Sequence, residues 1–555
     1  MTSDRSPPAV GGASRVAAGI LASRLLGFVR DMVLARYLGA SAQLDVFRQA
    51  MRSGNLIQNL LGEQTLSAAF IPQYSRLLEE GREEEAGRFA GAIFGLLLVV
   101  SSLLALAGVF LAEPIVALFN AGYLQDAARV AAGAGQIDRF PLAVKVVRLL
   151  FPMAGLLVLS AWSVGVLNSH RRFFVAYFAP VIWNVAILSA LWLAGGAAAA
   201  GGESPAVTLE RIVLAGAFGA LVGGGLQFLV QLPFVARVLR GFRLSVSTRT
   251  PGVRGALRAF WPMLAGRGAV QLSGHLDGFI ASFLAPGAQG ILGFALTLYL
   301  LPLSLFGLSV AAAELPEMSR RRGAKDDDVA ARVLGTVRRS SFFVIPTALG
   351  YVCFGLPIVT AIYGRGAFGR VDCWLMYLVL AAYSLGLPAS GVTRQLNTVF
   401  YAAGRTRVPA RVGVERVLLS AGSGGLLAWI LDRFEVGAVV GAGGGKHLFL
   451  GAVGLAIGGA LGAWYELVRI RRGLRAERAD VVLPVAPLLR MAGCAAAAAL
   501  PAALLWYVAG DALGAWGRVL ALATVYAVGY LGLADRLGVS ELAAWRAGLP
   551  GRRKG

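Results

Sequence analysis

The chain has 555 residues, of which 57% are hydrophobic and 15% charged, with 72 glycines. An average soluble chain is about half apolar and about a quarter charged, so a disordered protein, a collagen and an ordinary cytosolic enzyme are excluded. The formal charge of +22 comes from 52 Lys and Arg against 30 Asp and Glu. In a soluble protein that excess would suggest nucleic acid. In a chain of recurrent apolar segments it reads as loop charge that sets topology, and no nucleic-acid partner is expected.

A membrane-crossing helix needs about 20 mostly apolar residues. In chain order such stretches lie at 15–38, 46–74, 88–112, 143–168, 173–196, 211–236, 256–284, 289–316, 340–364, 373–402, 409–431, 447–468, 487–509 and 515–533, fourteen in all. Residues 1–14 are polar and rich in Pro and Gly, and the first span carries Arg24, Arg30 and Asp31, so the start does not read as a cleaved signal peptide. Connections after even-numbered spans are basic: Arg237, Arg240, Arg243, Arg249 and Arg254 in one, Arg320, Arg321, Arg322, Lys325, Arg332, Arg338 and Arg339 in another, Arg469, Arg471, Arg472, Arg475 and Arg478 in a third. Connections after odd spans are sparse; 285–288 has no charge and 197–210 only Glu203 and Glu210. The positive-inside bias therefore predicts cytoplasmic even loops and, with an even span count, two cytoplasmic termini. The tail Arg552-Arg553-Lys554 agrees.

Two short stretches repeat at nearly one offset. Ala68-Ala69-Phe70-Ile71-Pro72-Gln73-Tyr74-Ser75-Arg76 aligns with Ala312-Ala313-Glu314-Leu315-Pro316-Glu317-Met318-Ser319-Arg320, 244 residues on. Glu113-Pro114-Ile115-Val116 aligns with Leu356-Pro357-Ile358-Val359, 243 residues on. The first pair ends spans 2 and 8, the second ends spans 3 and 9, so the repeat unit is six helices. An even unit gives both halves the same orientation, and parallel repeats of this kind are a transporter architecture with the substrate site between the halves. The expected fold is an all-α polytopic membrane protein of two parallel six-helix lobes around a central cavity, with two C-terminal helices outside the repeat. The expected divisions are a cytoplasmic tail 1–14, a first lobe 15–243, a second lobe 254–470, helices 13 and 14 at 487–535, and a basic tail 536–555.

The first two spans carry polar stripes. Ser23, Arg24, Gly27, Arg30 and Asp31 fall within an arc of about 120° on the first. Asp45, Arg48, Arg52, Asn55, Asn59 and Glu63 fall within about 80° on the second. An ionisable group at membrane depth costs at least ~2.5–3.5 kcal/mol, so the stripes must face each other or a wet cavity. One reading is a structural ion-pair seam. The other is a cavity for a charged substrate, whose excess of arginine suits an anionic head group, because guanidinium binds phosphate through a planar fork. The second lobe is less charged: Arg267, His275 and Asp277 in span 7 and Arg394 in span 10. Neither the cysteines Cys353, Cys373 and Cys494 nor the histidines His170, His275 and His447 form a metal or disulfide pattern. No HExxH, GxSxG or Walker A motif is present, and no enzyme is expected.

These residues also carry a family resemblance. Ser23-Arg24-Leu25-Leu26-Gly27-Phe28-Val29-Arg30-Asp31, then Ala35-Arg36-Tyr37-Leu38-Gly39-Ala40 and Asp45, resemble the opening signature of the MurJ/MviN family. Asn55-Leu56 with Ser67-Ala68-Ala69-Phe70-Ile71-Pro72 does too, as do Ile280-Ala281-Ser282-Phe283-Leu284, Leu301-Pro302-Leu303-Ser304-Leu305-Phe306-Gly307, Gly364-Arg365-Gly366-Ala367-Phe368, and Leu385-Gly386-Leu387-Pro388-Ala389 with Phe400-Tyr401-Ala402. The resemblance implies a flippase for lipid II, the undecaprenyl-diphosphate-linked peptidoglycan precursor, in the bacterial cytoplasmic (inner) membrane. It implies fourteen helices, a V-shaped central cavity, and a lipid-tail groove involving the two C-terminal helices. By residue, it implies substrate contacts from Arg24, Arg30, Asp31, Asp45, Arg52, Asn55, Glu63 and Arg394, and an acid, Asp277, suited to cation coupling. The chain departs from the pattern at Gln58 and Asn59, where two arginines are usual, and at Leu296 and Thr297, where Asp-Arg is usual. Arg267 is a positional candidate to replace the missing charge. No cofactor is expected beyond coupling to the membrane potential or a monovalent cation, and the chain is expected to be monomeric among membrane lipids. Two alternatives stay open: a flippase for another polyprenyl-diphosphate-linked glycan, and a non-transporting scaffold with the same fold.

Overall fold

In a computed structural model of the chain, the described residues are 10–62, 66, 69–133, 137–200, 204–320, 327–402, 405–441, 446–477, 482–509 and 514–542. The regular elements described are helices, apart from one isolated bridge between Glu435 and Phe449. The first half runs through α1 (Val10–Leu38), α2 (Ala42–Leu61), α3 (Ile71–Glu79), α4 (Glu83–Phe110), α5 (Ala112–Phe119), a 3-10 turn (Ala121–Gln125), α6 (Asp126–Ala131), α7 (Arg139–Ser169), α8 (Phe173–Ala200), α9 (Pro205–Val238) and α10 (Val253–Ala281). The second runs through α11 (Ala288–Arg320), α12 (Asp327–Tyr363), α13 (Arg370–Leu385), α14 (Leu387–Ala402), α15 (Arg407–Leu431), α16 (Val436–Val440), α17 (Gly451–Glu477), α18 (Val485–Ala509) and α19 (Gly514–Arg536).

Among the described residues nine helices are long and apolar enough to cross a membrane, or ten if the bent pair α13–α14 is one span. The charged residues Arg24, Arg30 and Asp31 of α1 and Asp45, Arg48 and Arg52 of α2 keep those two helices outside that set, and α10 is described only in part; the fourteen spans expected from the sequence are not counted by the described residues. The span expected at 46–74 is divided: α2 stops at Leu61, and α3 begins afresh at Ile71 with Pro72 in its first turn, where a missing N–H costs nothing. Large apolar side chains point outward along several spans, Phe110, Leu500 and Val508 each more than 70% exposed, as a helix facing lipid requires.

The chain divides into two compact units, Met1–Gln289 and Gly290–Gly555. The first unit therefore includes α10, which the repeat assigns to the second lobe. Its centre is α7, with Trp162 fully enclosed and its indole Nε1 donating to the Ala90 carbonyl at 3.2 Å. Helices α2, α4 and α9 pack around α7, and α1 lies on α8. The α4 glycines Gly87, Gly91 and Gly95 recur every four residues, and the extended chain after α9 lies directly on them. A Cβ on any of the three would run into the carbonyl oxygen of Arg240, Arg243 or Ser245 in turn. Glycine is required there by the close approach of a second backbone.

The second unit is built on α12 and α17. Prolines shape it, and tyrosines repair the helical ladder. Pro346 lacks the N–H that would bond the Phe342 carbonyl, and Tyr530 Oη donates to that carbonyl at 2.8 Å. Pro302 leaves the Leu298 carbonyl in the same position, and Tyr351 Oη donates to it at 3.1 Å. Helices α13 and α14 meet at 41° around Gly386, just before Pro388. Between α12 and α19 lies an apolar cavity of about 340 Å³ lined by Phe343, Gly350, Phe354, Leu522, Tyr526 and Leu531, among others.

Candidate functional site

Within the first unit, α1, α2 and α8 bring together a polar cluster. Asp31 is 3% exposed. It accepts from Arg30 Nη2 at 3.1 Å and pairs with Arg48 Nη2 at 2.9 Å. Arg30 also donates to Asn184 Oδ1 at 3.3 Å and lies 5.5 Å from the centre of the Trp183 ring. Asn184 is oriented by its own amide, which donates to the Pro180 carbonyl at 3.1 Å. The periodicity explains the arrangement: Arg30 and Asp31 end the α1 stripe, and Arg48 lies about two turns into α2. Two guanidiniums offer about ten N–H donors, more than one carboxylate can take. Both arginine side chains keep 18% exposure, although Nε and Nη2 of Arg48 are enclosed, and two guanidiniums beside one carboxylate are a donor set that suits an oxyanion. Arg24 precedes Arg30 on α1 and is exposed.

The other expected residues lie in different surroundings. Arg52 donates through Nη2 to the Gly274 carbonyl on α10. Gly278, one turn further along α10, faces Gln49, and a Cβ there would collide with the Gln49 amide. Arg52 is therefore used to hold α10 against α2. Asn55 is half-buried, and its Oδ1 is enclosed with no hydrogen-bond partner among the described residues. Asp277 and His275 lie on α10, the first half-buried and the second 5% exposed against the Phe119 ring. Arg394 is exposed on α14 in the second unit. Glu63 and the side chain of Arg267 lie outside the described residues.

Asp45 belongs to a second cluster that helical periodicity does not assemble. It is fully buried at the start of α2, where Ser41 caps the helix by accepting from the Leu44 amide at 3.2 Å. Asp45 Oδ2 accepts from the Gly287 amide at 2.7 Å and lies 3.6 Å from Arg139 Nη1. Arg139 donates to both oxygens of Asp126, at 2.6 and 3.0 Å, and to the Ser282 carbonyl at 3.1 Å. Its guanidinium lies 4.3 Å from the centre of the Tyr123 ring. Tyr123 Oη donates to Gln289 Oε1, and Gln289 Nε2 donates to the Gly278 carbonyl at 2.7 Å and to Asn120 Oδ1 at 3.2 Å. This node ties the starts of α2 and α7, the turn 121–125 and the end of α10 together. Asp126 begins α6 and Arg139 begins α7, thirteen residues on in a different helix, so no spacing rule within one helix pairs them.

The MurJ family model, described as "Lipid II flippase MurJ", matches residues 34–526. The chain belongs to the MurJ family. A relative from Vibrio cholerae serotype O1, named "Probable lipid II flippase MurJ", is 30% identical over 507 residues, 90% of this chain and 89% of the relative. One from Burkholderia cenocepacia, named "Lipid II flippase MurJ", is 29% identical over 399 residues, 71% of this chain and 73% of the relative. A solved structure described as "Lipid II flippase MurJ, inward closed conformation" matches with a TM-score of 0.69 at 21% identity, covering 94% of this chain and 99% of that one. An inward-facing transporter of the MATE family matches with a TM-score of 0.56 at 14% identity, covering 85% of this chain and 100% of that one. The fold is thus that of the MurJ family and of MATE-type transporters, and the chain is a multi-pass membrane transporter rather than a protein of an enzyme family.

Proposed function

We propose that the chain translocates lipid II across the bacterial inner membrane by alternating access, as part of cell-wall biosynthesis. Membership of the MurJ family over residues 34–526 carries this reading, and the relatives' names favour lipid II over another polyprenyl-linked glycan. The diphosphate of the substrate is held by Arg30 and Arg48, with Arg24 at the entrance. No covalent bond is made or broken, so no catalytic residue is needed. Asp31 sets the strength of the grip: it neutralises part of the cationic charge, so the anion is bound and can also be released. A site that held the anion equally in both states of the cycle would move nothing. The membrane potential is the proposed bias, at about 2.3 kcal/mol per charge per 100 mV, with Asp277 the carboxylate proposed to couple a monovalent cation. The apolar cavity between α12 and α19 offers a place for the polyprenyl tail. The protein works as a monomer with both termini in the cytoplasm.

Rescue of cells depleted of their own lipid II flippase tests the function. Growth and restored translocation are expected from the wild-type chain, and no rescue at normal membrane level would reject it. Single cysteines in 237–258, 320–339 and 469–478 should resist an impermeant thiol reagent in intact cells; ready labelling of them would reverse the orientation.

A further inference from the structure

A second basic cluster lies in the second unit, apart from the polar clusters of the first. Helices α15 and α17 are antiparallel neighbours that approach most closely at glycines: a Cβ on Gly458 would run into the backbone of Gly424, and one on Gly462 would come within 3.1 Å of Ser420. Toward the start of α15 and the end of α17 the packing opens into a cavity of about 340 Å³. Four arginines line it, Arg407 and Arg411 one turn apart on α15, Arg469 and Arg472 on α17. Its remaining wall is apolar, from Val408 and Val412, with Gly473 leaving the space a side chain would fill.

Glu415 organises the arginines. It accepts from Arg411 Nε at 3.1 Å, from Arg469 Nε at 3.0 Å and from Tyr465 Oη at 2.9 Å. Further along α15, Arg416 pairs with Glu466 at 2.6 Å and closes the stripe. Arg407 and Arg472 have no ion pair among the described residues. The four arginines and Glu415 leave three positive charges around one small cavity. Topology alone requires basic residues near the ends of spans; it does not require them to surround a cavity or to be held in place by a carboxylate. The two helices' apolar spans end here, at Arg407 and Ala476, and the ends of apolar spans are where a membrane helix meets lipid headgroups.

We propose that this cavity binds a phosphate ester anion, with the arginine forks on the phosphate oxygens and the apolar wall against the attached carbon groups. The proposal is independent of the flippase reading. Phosphate can reach the site as a lipid headgroup or free in solution, and the experiment separates the two.

The full-length protein in neutral detergent is titrated with phosphatidylglycerol, with phosphatidylcholine and with sodium phosphate, and bound ligand is measured by native mass spectrometry and calorimetry. Arg407→Gln/Arg472→Gln removes two charges and leaves the Glu415 cluster whole. Gly473→Leu fills the cavity and keeps every charge. Both variants should bind the anion at least tenfold more weakly and leave phosphatidylcholine unchanged. Loss confined to phosphatidylglycerol assigns a lipid headgroup; parallel loss of inorganic phosphate assigns free phosphate. Unchanged binding in the cavity-filling variant, at unchanged melting temperature, overturns the site and leaves only general attraction to a basic surface. If the double variant fails to fold, Gly473→Leu and Arg472→Gln alone decide between these results.

Discussion

Around Asp31, two guanidiniums converge on one carboxylate and each keeps 18% exposure. Around Arg139, one guanidinium is shared between two carboxylates, and none of the three side chains is more than 5% exposed. The first cluster joins two guanidiniums to one buried carboxylate and leaves part of each arginine side chain exposed. The second places two acids on one buried cation. The Gly287 amide and the Arg139 backbone amide offset the excess negative charge, the latter donating to Asp126 at 3.3 Å, and Arg129 adds a cation 4.0 Å from Asp126. Both clusters combine Arg and Asp within one unit. The difference lies in what surrounds them: a half-open face of α1 and α2 in one case, the junction of four segments in the other. An arginine beside an aspartate can serve an anion only where its guanidinium stays reachable.

The largest test removes the shared cation. Arg139→Leu leaves Asp126 and Asp45 buried without it, and breaking a buried pair in this way costs about 3–5 kcal/mol. The expected outcome is a collapse in folded yield on fluorescence-detected size exclusion. A folded, stable Arg139→Leu protein would mean that the node is not a structural clamp.

Arg48→Ala and Arg30→Ala should act in the opposite way. Each leaves Asp31 its other arginine, so membrane level should stay near normal. Loss of a charge-assisted hydrogen bond of about 1.5–3 kcal/mol should lower translocation roughly tenfold to hundredfold. Normal lipid flipping by the Arg30→Ala/Arg48→Ala double variant would reduce the cluster to a structural seam.

Asn184→Ala gives a finer measure. It removes one neutral acceptor from Arg30 and leaves both ion pairs, which should cost about 0.5–1.5 kcal/mol. A small fall in apparent substrate affinity, with unchanged melting temperature, is the expected pattern. A drop in stability as large as that of Arg139→Leu would erase the distinction between the two clusters.

The smallest effect is expected at a polar pair outside the spans. His170 and the buried Tyr74 lie 2.9 Å apart, nitrogen to oxygen. Burial holds the His170 imidazole below its usual range; Glu83 acts against this and Arg172 with it. A histidine whose folded pKa is depressed contributes stability above its unfolded pKa, and that contribution is lost as the pH falls through the folded value. Below about pH 6.5 the wild type should therefore lose melting temperature faster than His170→Gln, with the two curves running parallel above it. Parallel curves throughout would show that His170 does not titrate against the fold.

Periodicity and composition were enough for much of this protein. Runs of about 20 apolar residues cannot satisfy their backbone in lipid except as helices, so the helical class followed directly from the sequence. The stripe of Arg24, Arg30 and Asp31 was legible because neighbours on one helical face are three or four residues apart, and Arg48 fell on the facing stripe of α2 by the same rule. The signature around Ser23–Asp31 was sufficient to suggest the family. Local rules failed where contacts join distant segments. Nothing near Asp45 reveals that its carboxylate meets Gly287, 242 residues away, or that Arg52 reaches the α10 backbone. The break of the second span after Leu61 was hidden because hydropathy carries no information about where a helix ends.

The order of residues alone specifies the all-helical membrane class, the polar stripes of α1 and α2, and the membership of a membrane transporter family, because each depends on neighbours within a few residues or on an ordered set of motifs. Packing between distant segments settles which arginines are spent on backbone carbonyls and which keep exposed side-chain surface. Arg52 and Arg139 end on backbone carbonyls of α10 and the chain just after it, whereas the Arg30 and Arg48 side chains keep 18% exposure. That outcome depends on burial and on carbonyls and amides supplied from elsewhere in the chain, and spacing along one helix encodes neither.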